Sequence, residues 1–336
     1  MAAPYDTATG WGTATVLDSS GLGIDPDVTL DDSGNACAIW NRYDALNYKN
    51  TVMVARYTSN GWDSPQMLQP EASTPVQPIS GNNSGMTAVI WNQVTPITGL
   101  FMHKYNTYVS LFEPGAGWKD PQPVGNDIYE MNNIGYINPE STPGHYNPRI
   151  SVDKQGNALA LWSEVYSEGD KYHTAFNRYD TEKGWGTPQL LDNIGIPSGK
   201  IVFDDSGSAF ISWTYNVEQL NNRYLSTTSF AKYDKANGWI TENVLNKYPY
   251  YCFNSSIIAG KNGSLHLIWM QYSGNDSQLW MNKYSPVSGW SSGERLDSKT
   301  GNVDEYIITL DVEGQAIIIW TQYSGVHRNI WAKLIR

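Results

Sequence analysis

The sequence predicts an all-β fold made of six copies of one four-stranded unit. Three observations predict it: a Gly-Trp pair occurs six times, a second tryptophan closes an apolar run after each pair, and a glycine lies six positions before that second tryptophan. The tryptophans of the pairs are Trp11, Trp62, Trp118, Trp185, Trp239 and Trp290. The closing tryptophans are Trp40, Trp91, Trp162, Trp213, Trp269 and Trp320. Self-similarity over such long periods is the signature of a repeat architecture.

The third copy shows how the four strands follow one another. Residues 148–153 alternate as a half-buried strand, and a tight turn at Gly156 leads into residues 158–162. That run is apolar on both faces, which is typical of a central strand packed between two neighbouring sheets. Residues 174–179 form the third strand and residues 185–191 the fourth. The fourth strand is predicted to lie at the outer edge, because it contains a proline and an edge strand need not donate every ladder hydrogen bond.

Six copies of four strands are typical of a six-bladed β-propeller. The last copy ends after its third strand, whereas the chain begins with an orphan fourth strand. We therefore predict that residues 10–18 pair with residues 329–335 and close the ring. An open solenoid is the competing architecture, but it would need polar capping repeats. The predicted blades of this single domain are 19–69, 70–124, 125–191, 192–246, 247–296, and 297–336 together with 10–18.

The composition excludes several classes of function. With 22 basic and 33 acidic side chains the formal net charge is −11, which argues against nucleic acid because phosphates need clustered Lys and Arg. No stretch approaches the ~20 apolar residues of a membrane-spanning helix. Cys37 and Cys252 lack metal-ligand spacing, and no nucleophile-elbow, zinc-protease or P-loop motif occurs. We therefore expect no cofactor, no metal and no catalytic residue.

The copies differ from one another mainly in their loops, which are rich in tyrosine and asparagine. The largest departure is an insertion before the third blade, residues 126–147. Tyrosine beside amides and carboxylates suits neutral polyhydroxylated ligands, because the ring stacks on the apolar face of a sugar while the polar groups bind its hydroxyls. The alternative is that these rings only cover loop backbones. The candidate ligand-binding tyrosines are Tyr43, Tyr48, Tyr129, Tyr136, Tyr146, Tyr166, Tyr172, Tyr215, Tyr272 and Tyr323.

Charged residues suggest two further sites. Asp27, Arg149 and Lys200 occupy one position of the first strand, and together they would bind an anion or carboxylate, or form a structural ion-pair network. The turn aspartates recur at one repeat position and are expected to bond turn amides. Calcium binding is the alternative, although the Asp-x-Asp-x-Asp ladder of a calcium loop is absent. These aspartates are Asp31, Asp153, Asp204 and Asp311. His145 is expected to lie in a loop.

The repeat Asp-x-x-Gly-Asn-Ala-x-Ala-x-Trp, followed by Arg-Tyr and Gly-Trp-Gly, resembles that of secreted or cell-surface bacterial β-propellers over nearly the whole chain. The resemblance implies an exported protein that is secreted, periplasmic or bound to the cell surface. Residues 1–4 have no basic n-region and no apolar h-region, so we expect no uncleaved signal peptide. Asp-box propellers such as sialidases place their tryptophan three residues after the glycine rather than six, so none of their catalytic residues is transferred.

These observations favour a non-enzymatic binding propeller that recognises a glycan through its tyrosine-rich loop face. A protein-interaction or adhesion scaffold is the first alternative. The second is a glycan hydrolase or lyase that uses loop carboxylates, for which the candidates are Asp127, Glu130, Asp170 and Glu305.

Overall fold

The computed structural model shows an all-β protein whose residues fall into two compact units, 1–191 and 192–336. It describes the chain except for residues 7, 45–48, 73–76, 98–101, 132–143, 167–172, 192–199, 221–222, 235–237, 243–250, 275, 298–300, 311–314 and 336. In the described part the only helical element is a 3₁₀ turn, Lys261–Gly263, and no helix is long and apolar enough to cross a membrane.

The first unit contains a short N-terminal strand pair and three antiparallel sheets. The pair consists of β1 (Tyr5–Asp6) and β2 (Gly10–Trp11). Sheet 1 consists of β3 (Gly23–Leu30), β4 (Ala36–Asp44), β5 (Lys49–Thr58), β6 (Gly61–Trp62) and β7 (Gln66–Ala72). Sheet 2 consists of β8 (Gln77–Gly81), β9 (Thr87–Pro96), β10 (Met102–Glu113), β11 (Gly117–Trp118), β12 (Gln122–Pro123) and β13 (Ile128–Met131). Sheet 3 consists of β14 (Gly144–Val152), β15 (Ala158–Val165), β16 (His173–Asp180), β17 (Gly184–Trp185) and β18 (Gln189–Leu191).

The second unit contains three more antiparallel sheets. Sheet 4 consists of β19 (Val202–Phe203), β20 (Ala209–Leu220), β21 (Arg223–Asp234) and β22 (Gly238–Glu242). Sheet 5 consists of β23 (Cys252–Ala259), β24 (Leu265–Ser273), β25 (Asp276–Ser285), β26 (Gly289–Trp290) and β27 (Glu294–Arg295). Sheet 6 has three described strands, β28 (Val303–Leu310), β29 (Ala316–Ser324) and β30 (His327–Ile335).

Each sheet orders its strands as they occur in the chain, which confirms the predicted antiparallel unit. The outer strand is broken in several sheets. In sheet 3, β17 and β18 both pair with β16 but are separated by Pro188. Proline has no N–H to donate, so it interrupts the ladder. Sheet 4 lacks a proline at this point, and its outer strand β22 runs unbroken along β21.

The central strands bury alternate residues against the sheets on either side within one unit. In sheet 2, Val89 and Trp91 pack with Ile39 of sheet 1, whereas Ala88 and Ile90 pack with sheet 3. The side chains of a strand point alternately to opposite faces, so an uninterrupted apolar run fills two cores. The closing tryptophan of each copy is thus a packing residue.

Glycine and aspartate build the repeated turns as predicted. Gly156 has φ of +88°, a left-handed conformation that other residues adopt at a cost. In the same turn, Oδ1 of Asp153 accepts hydrogen bonds from the backbone N–H groups of Gln155 and Asn157. Asp31 and Asp204 make the equivalent bonds in their turns. Asp311 lies outside the described residues.

A β-bulge recurs in the first strand of several sheets. In sheets 1, 3 and 5 the register shifts at a residue with left-handed backbone, namely Asp25 (φ +49°), Asn147 (φ +48°) and Asn254 (φ +49°). Each of them lies 15 positions before its closing tryptophan. Asx residues tolerate this conformation better than other non-glycine residues. The bulge redirects the side chains that precede it, and bulges are frequent beside functional sites.

The N-terminal segment differs from the predicted fourth strand of sheet 6. Residues 10–11 pair with residues 5–6, and Thr15 bridges Ala2. Leu17 packs on the face of sheet 1 that points away from sheet 2, which we call its outer face. Asp18 accepts a 2.7 Å hydrogen bond from Nε1 of Trp40. The predicted pairing of residues 10–18 with 329–335 is therefore not among the described pairings. A local hairpin closes a short loop, which costs much less chain entropy than joining the two ends of the chain.

Candidate functional site

The predicted tyrosines differ in exposure, and several of them lie outside the described residues. Tyr48, Tyr136 and Tyr172 lie outside the described residues, and of Tyr215 only the backbone, in β20, is described. Tyr43 and Tyr146 are half-buried, whereas Tyr129 and Tyr166 are exposed. The last two lie at one end of sheets 2 and 3, where several polar side chains converge. We call this cluster the polar end, and its members are Lys104, Asn106, Asp127, Tyr129, His145, Glu164 and Tyr166.

Asp127 organises the part of the polar end that belongs to sheet 2. Its carboxylate accepts hydrogen bonds from Nδ2 of Asn106 at 2.6 Å, Nζ of Lys104 at 3.2 Å and the hydroxyl of Tyr129 at 3.3 Å. The pairing of β10 with β13 puts Lys104 opposite Tyr129. Burial tends to raise the pKa of Asp127, but these hydrogen bonds outweigh it and lower the pKa below its usual value. The carboxylate and the ammonium group therefore neutralise each other at the surface.

His145 is a buried strand residue, which corrects the expectation that it lies in a loop. It belongs to β14 and is 3% exposed. Its ring stacks on Trp162 with centroids 6.0 Å apart and planes 5° from parallel. Nδ1 lies 2.7 Å from the hydroxyl oxygen of Thr107. Because that hydroxyl donates its hydrogen to Oδ1 of Asn92, its oxygen can accept a hydrogen bond from Nδ1–H. Burial lowers the pKa of His145 to about 4, so the ring is neutral at neutral pH.

Glu164 is the most deeply buried carboxyl group of the polar end, with no exposed surface. Oε1 accepts a 2.6 Å hydrogen bond from Nε1 of Trp162, and Oε2 accepts one from the hydroxyl of Tyr166. Nε2 of His145 lies 3.8 Å from Oε1 and has no hydrogen-bond partner among the described residues. The Tyr166 ring is 40% exposed, so it links a buried carboxyl group to solvent.

A comparison among the copies identifies Glu164 and His145 as departures from the architecture. Glu164 lies two positions after its closing tryptophan, where three other copies have Gln93, Gln271 and Gln322. Gln271 and Gln322 accept the same indole hydrogen bond, at 3.1 and 3.3 Å. An amide is therefore sufficient for packing, and burying a carboxyl group there costs free energy. His145, 17 positions before the tryptophan, corresponds to Cys252 and Val303 in sheets 5 and 6.

Glu164 and His145 are not among the predicted site residues, and neither are their neighbours Lys104, Asn106 and Thr107. A usable signal existed, because position-by-position comparison of the copies shows a carboxyl group where three other copies have amides. Of the loop carboxylates named as candidates for a hydrolase or lyase, Asp127 lies in the polar end, and a catalytic role for it stays a prediction. The side chain of Glu130 and all of Asp170 lie outside the described part of the chain. Glu305, on sheet 6, pairs with Arg328 at 3.2 Å.

The three charged residues of the predicted anion site, Asp27, Arg149 and Lys200, differ in burial and in their partners. Asp27 is half-buried on β3, and its Oδ1 accepts from the N–H of Val28. Arg149 is half-buried on β14, where burial lowers its pKa and its guanidinium donates to the carbonyl of Pro148. Lys200 is exposed in the second unit. The predicted anion site formed by the three of them stays a prediction.

A cavity of about 980 Å³ lies between the N-terminal segment and the outer face of sheet 1. Its lining includes Leu17, Val28, Leu30 and Trp40, together with Asp27. The strand alternation that fills the cores between the other sheets makes this face apolar as well. We therefore interpret the cavity as an incompletely filled packing face rather than as a ligand site. Among the residues that the structure describes, no group of His, Cys, Asp and Glu could hold a metal ion.

No protein-family model and no curated protein matches this sequence. Solved structures match in fold at low identity. A PL25 ulvan lyase superposes with a TM-score of 0.56 at 12% identity, covering 92% of this chain and 78% of the lyase. An α-L-arabinanase from Penicillium chrysogenum, complexed with arabinobiose, gives 0.51 at 13% identity and covers 94% of each chain. The β-propeller domain of the Trilobed protease from Pyrococcus furiosus, with an open velcro topology, gives 0.50 at 9% identity, covering 93% and 80%. The fold of this chain is thus similar to that of β-propellers, including propellers that act on glycans.

Proposed function

We propose that this protein binds a glycan at the polar end of sheets 2 and 3. The observation that carries the proposal is Tyr166, whose ring is exposed while its hydroxyl is held by the buried Glu164. A fixed ring next to hydrogen-bonding groups can stack on a sugar and orient its hydroxyls. The fold similarity to an ulvan lyase and to an arabinanase supports carbohydrate as the class of ligand.

The electrostatics of the polar end favour a neutral glycan. Lys104 is already paired with Asp127, and His145 is buried and neutral. Neither group is therefore available to neutralise a uronate or a sulfate. The net charge of −11 also opposes the approach of a polyanion.

A glycan array tests the proposal, followed by calorimetry on the best neutral ligand. Tyr166→Ala removes the ring and should weaken binding by about tenfold, which is ~1.4 kcal/mol. Tyr5→Ala removes an exposed tyrosine ring that lies outside the polar end and is not a candidate, so it is the control and should leave the affinity unchanged. Preferential binding of sulfated or uronate glycans would contradict the neutral class. Binding of no glycan, together with a stoichiometric protein partner, would favour the scaffold alternative.

Cleavage of the bound glycan is a second candidate, favoured by the position of Glu164. A buried carboxyl group replaces a structurally sufficient amide and lies beside a neutral imidazole and an exposed phenol. Burial lowers the pKa of His145 and raises that of Tyr166, and groups with shifted pKa values concentrate at active sites. Glu164→Gln tests this directly, because sheets 5 and 6 accommodate glutamine at this position. An enzyme should lose turnover in this variant and keep glycan affinity, whereas a lectin releases no product in either form.

We further propose that the six copies form a closed six-bladed ring and that the protein acts outside the cytoplasm. Two sheets support closure, since each exposes apolar side chains on the face that other sheets bury. Sheet 1 exposes Val28 and Leu30, and sheet 6 exposes Ile307, Ile330 and Leu334. Covering such faces would add the hydrophobic stabilisation that the other copies already have.

The similarity to glycan-active propellers supports an extracellular, periplasmic or surface location.

A further inference from the structure

Sheet 5, in the second unit, carries a group of three aromatic rings at the end where its first strand begins and its second strand ends. The ring centroids of Phe253 and Tyr272 are 5.2 Å apart, those of Tyr251 and Phe253 are 5.7 Å apart, and those of Tyr251 and Tyr272 are 6.1 Å apart. The interplanar angles lie between 26° and 29°. We call these three residues the aromatic platform.

The backbone beneath the platform is held by hydrogen bonds. The N–H of Tyr272 donates to the carbonyl of Tyr251 at 3.0 Å. Between Tyr251 and Phe253, the backbone N–H of Cys252 donates to the hydroxyl of Ser226, and that hydroxyl donates to the carbonyl of Cys252. The bulge at Asn254 follows directly. The rings are therefore positioned before any ligand arrives, and little conformational entropy is lost on binding.

The architecture of the repeat does not require the rings of Tyr251 and Tyr272. Cys252 pairs with Gln271, the same register position that His145 and Glu164 occupy in sheet 3. The flanking positions 251 and 272 correspond there to Gly144 and Val165. Sheet 3 thus folds without a ring at either position. In sheet 5, Tyr251 and Tyr272 are 40% and 41% exposed, so a large part of their surface is not used in packing.

We propose that Tyr251, Phe253 and Tyr272 form a stacking site for one ring of a neutral saccharide, separate from the polar end. The inference rests on the proposed glycan-binding function and adds a second site within the second unit. None of the three side chains carries a charge at neutral pH, and the two phenol hydroxyls supply hydrogen bonds at the rim. A sugar matches this surface because its C–H groups face an aromatic ring while its hydroxyls stay in water or bind the phenols.

The experiment uses the full chain and measures calorimetric affinity for neutral linear oligosaccharides of pentoses and of hexoses. Tyr272→Ala and Tyr251→Ala should each weaken binding by about tenfold. Tyr272→Phe keeps the ring and should stay within about threefold of the native affinity. Tyr5→Ala is the control, because it removes an exposed tyrosine ring that is not a candidate ligand-binding residue, and it should leave the affinity unchanged. Unfolding curves for each variant identify any general loss of structure.

The outcomes separate the platform from the polar end. Weaker binding in Tyr272→Ala with native unfolding supports the platform. If Tyr166→Ala weakens binding and both platform variants bind like the native chain, the platform is overturned and the proposed function stands. If the platform variants alone weaken binding, the platform is supported and the polar end is overturned as the main site. Equal loss in Tyr272→Ala and Tyr5→Ala, or binding of proline-rich peptides instead of saccharides, overturns the platform.

Discussion

Nε1 of Trp162 donates a 2.6 Å hydrogen bond to Oε1 of Glu164. Sheets 5 and 6 repeat this relationship between a closing tryptophan and the residue two positions later, but with glutamine as the acceptor. Sheets 3, 5 and 6 therefore share this indole hydrogen bond, and sheet 3 makes it with an ionisable group. This is the clearest place where one copy departs from the others without a structural need.

Replacing Glu164 separates its structural role from its chemical role. Glu164→Gln keeps an acceptor for the indole, so we expect the free energy of unfolding to change by less than about 1 kcal/mol. Glu164→Leu leaves the buried indole N–H of Trp162 without a partner and should cost about 1–3 kcal/mol. Urea unfolding followed by tryptophan fluorescence measures both values. Equal losses in the two variants would show that the indole bond does not matter for stability.

Gly125 should be indispensable for the position of His145. A Cβ at residue 125 would lie 2.6 Å from Cε1 of His145, whose ring is fixed by Trp162 and Thr107. We expect Gly125→Ala to destabilise the protein by about 1–3 kcal/mol, since the ring cannot move without losing these contacts. Gly23→Ala is the control, because its nearest neighbour, a Trp40 side-chain atom, is 3.5 Å away. Thermal unfolding that ranks the two variants equally would contradict the prediction.

The neutral state of His145 predicts a loss of stability in acid. Its folded pKa of about 4 is below the usual 6.5, so the unfolded chain binds a proton that the folded chain does not. Stability should therefore fall as the pH drops from about 6.5 to about 4, by roughly 3 kcal/mol at most. The negative charge of Asp127 acts in the opposite direction, since it favours the imidazolium form. His145→Gln should have a flatter pH profile in this window, and an unchanged slope would disprove the assignment.

The bulge that follows Phe253 of the aromatic platform depends on an asparagine. Asn254 has φ of +49°, so Asn254→Val forces a β-branched residue into the left-handed region and should cost about 1–3 kcal/mol. Asn254→Gly should be tolerated to within about 1 kcal/mol, because glycine adopts this conformation readily. Urea midpoints of the two variants decide the matter. A valine variant as stable as the glycine variant would mean that the bulge can relax.

Deletion of residues 1–18 tests the role of the N-terminal segment. The deletion removes Leu17 and Asp18 from the outer face of sheet 1 and leaves Nε1 of Trp40 without its acceptor. We expect a lower melting temperature and aggregation, since an apolar sheet face becomes exposed. Charge-matched replacement of Asp18 by Glu serves as the control. A truncated chain that melts like the full chain would exclude any contribution of this segment, including closure of a ring.

The sequence by itself determined the repeat, its strands and its turns. These features depend on local patterns: alternation of side chains, glycine where φ is positive, and aspartate that bonds turn amides. Gly156 and Asp153 behave as their positions predict because a turn is formed by residues close together in the chain. The same reasoning selected tyrosine as the residue to examine, and it included Tyr166 and Tyr272.

Only the tertiary structure decided which side chains meet. Thr107 and His145 are 38 positions apart and come into contact because β14 packs beside β10 across two sheets. Register placed His145 opposite Glu164 and made the aromatic platform from two strands of sheet 5. The N-terminal segment pairs locally, because a short hairpin competes with a partner at the other end of the chain. The sequence predicts His145 in a loop, but it lies in a core, where burial keeps its imidazole neutral. This charge state depends on the surroundings of the residue and not on the residue itself.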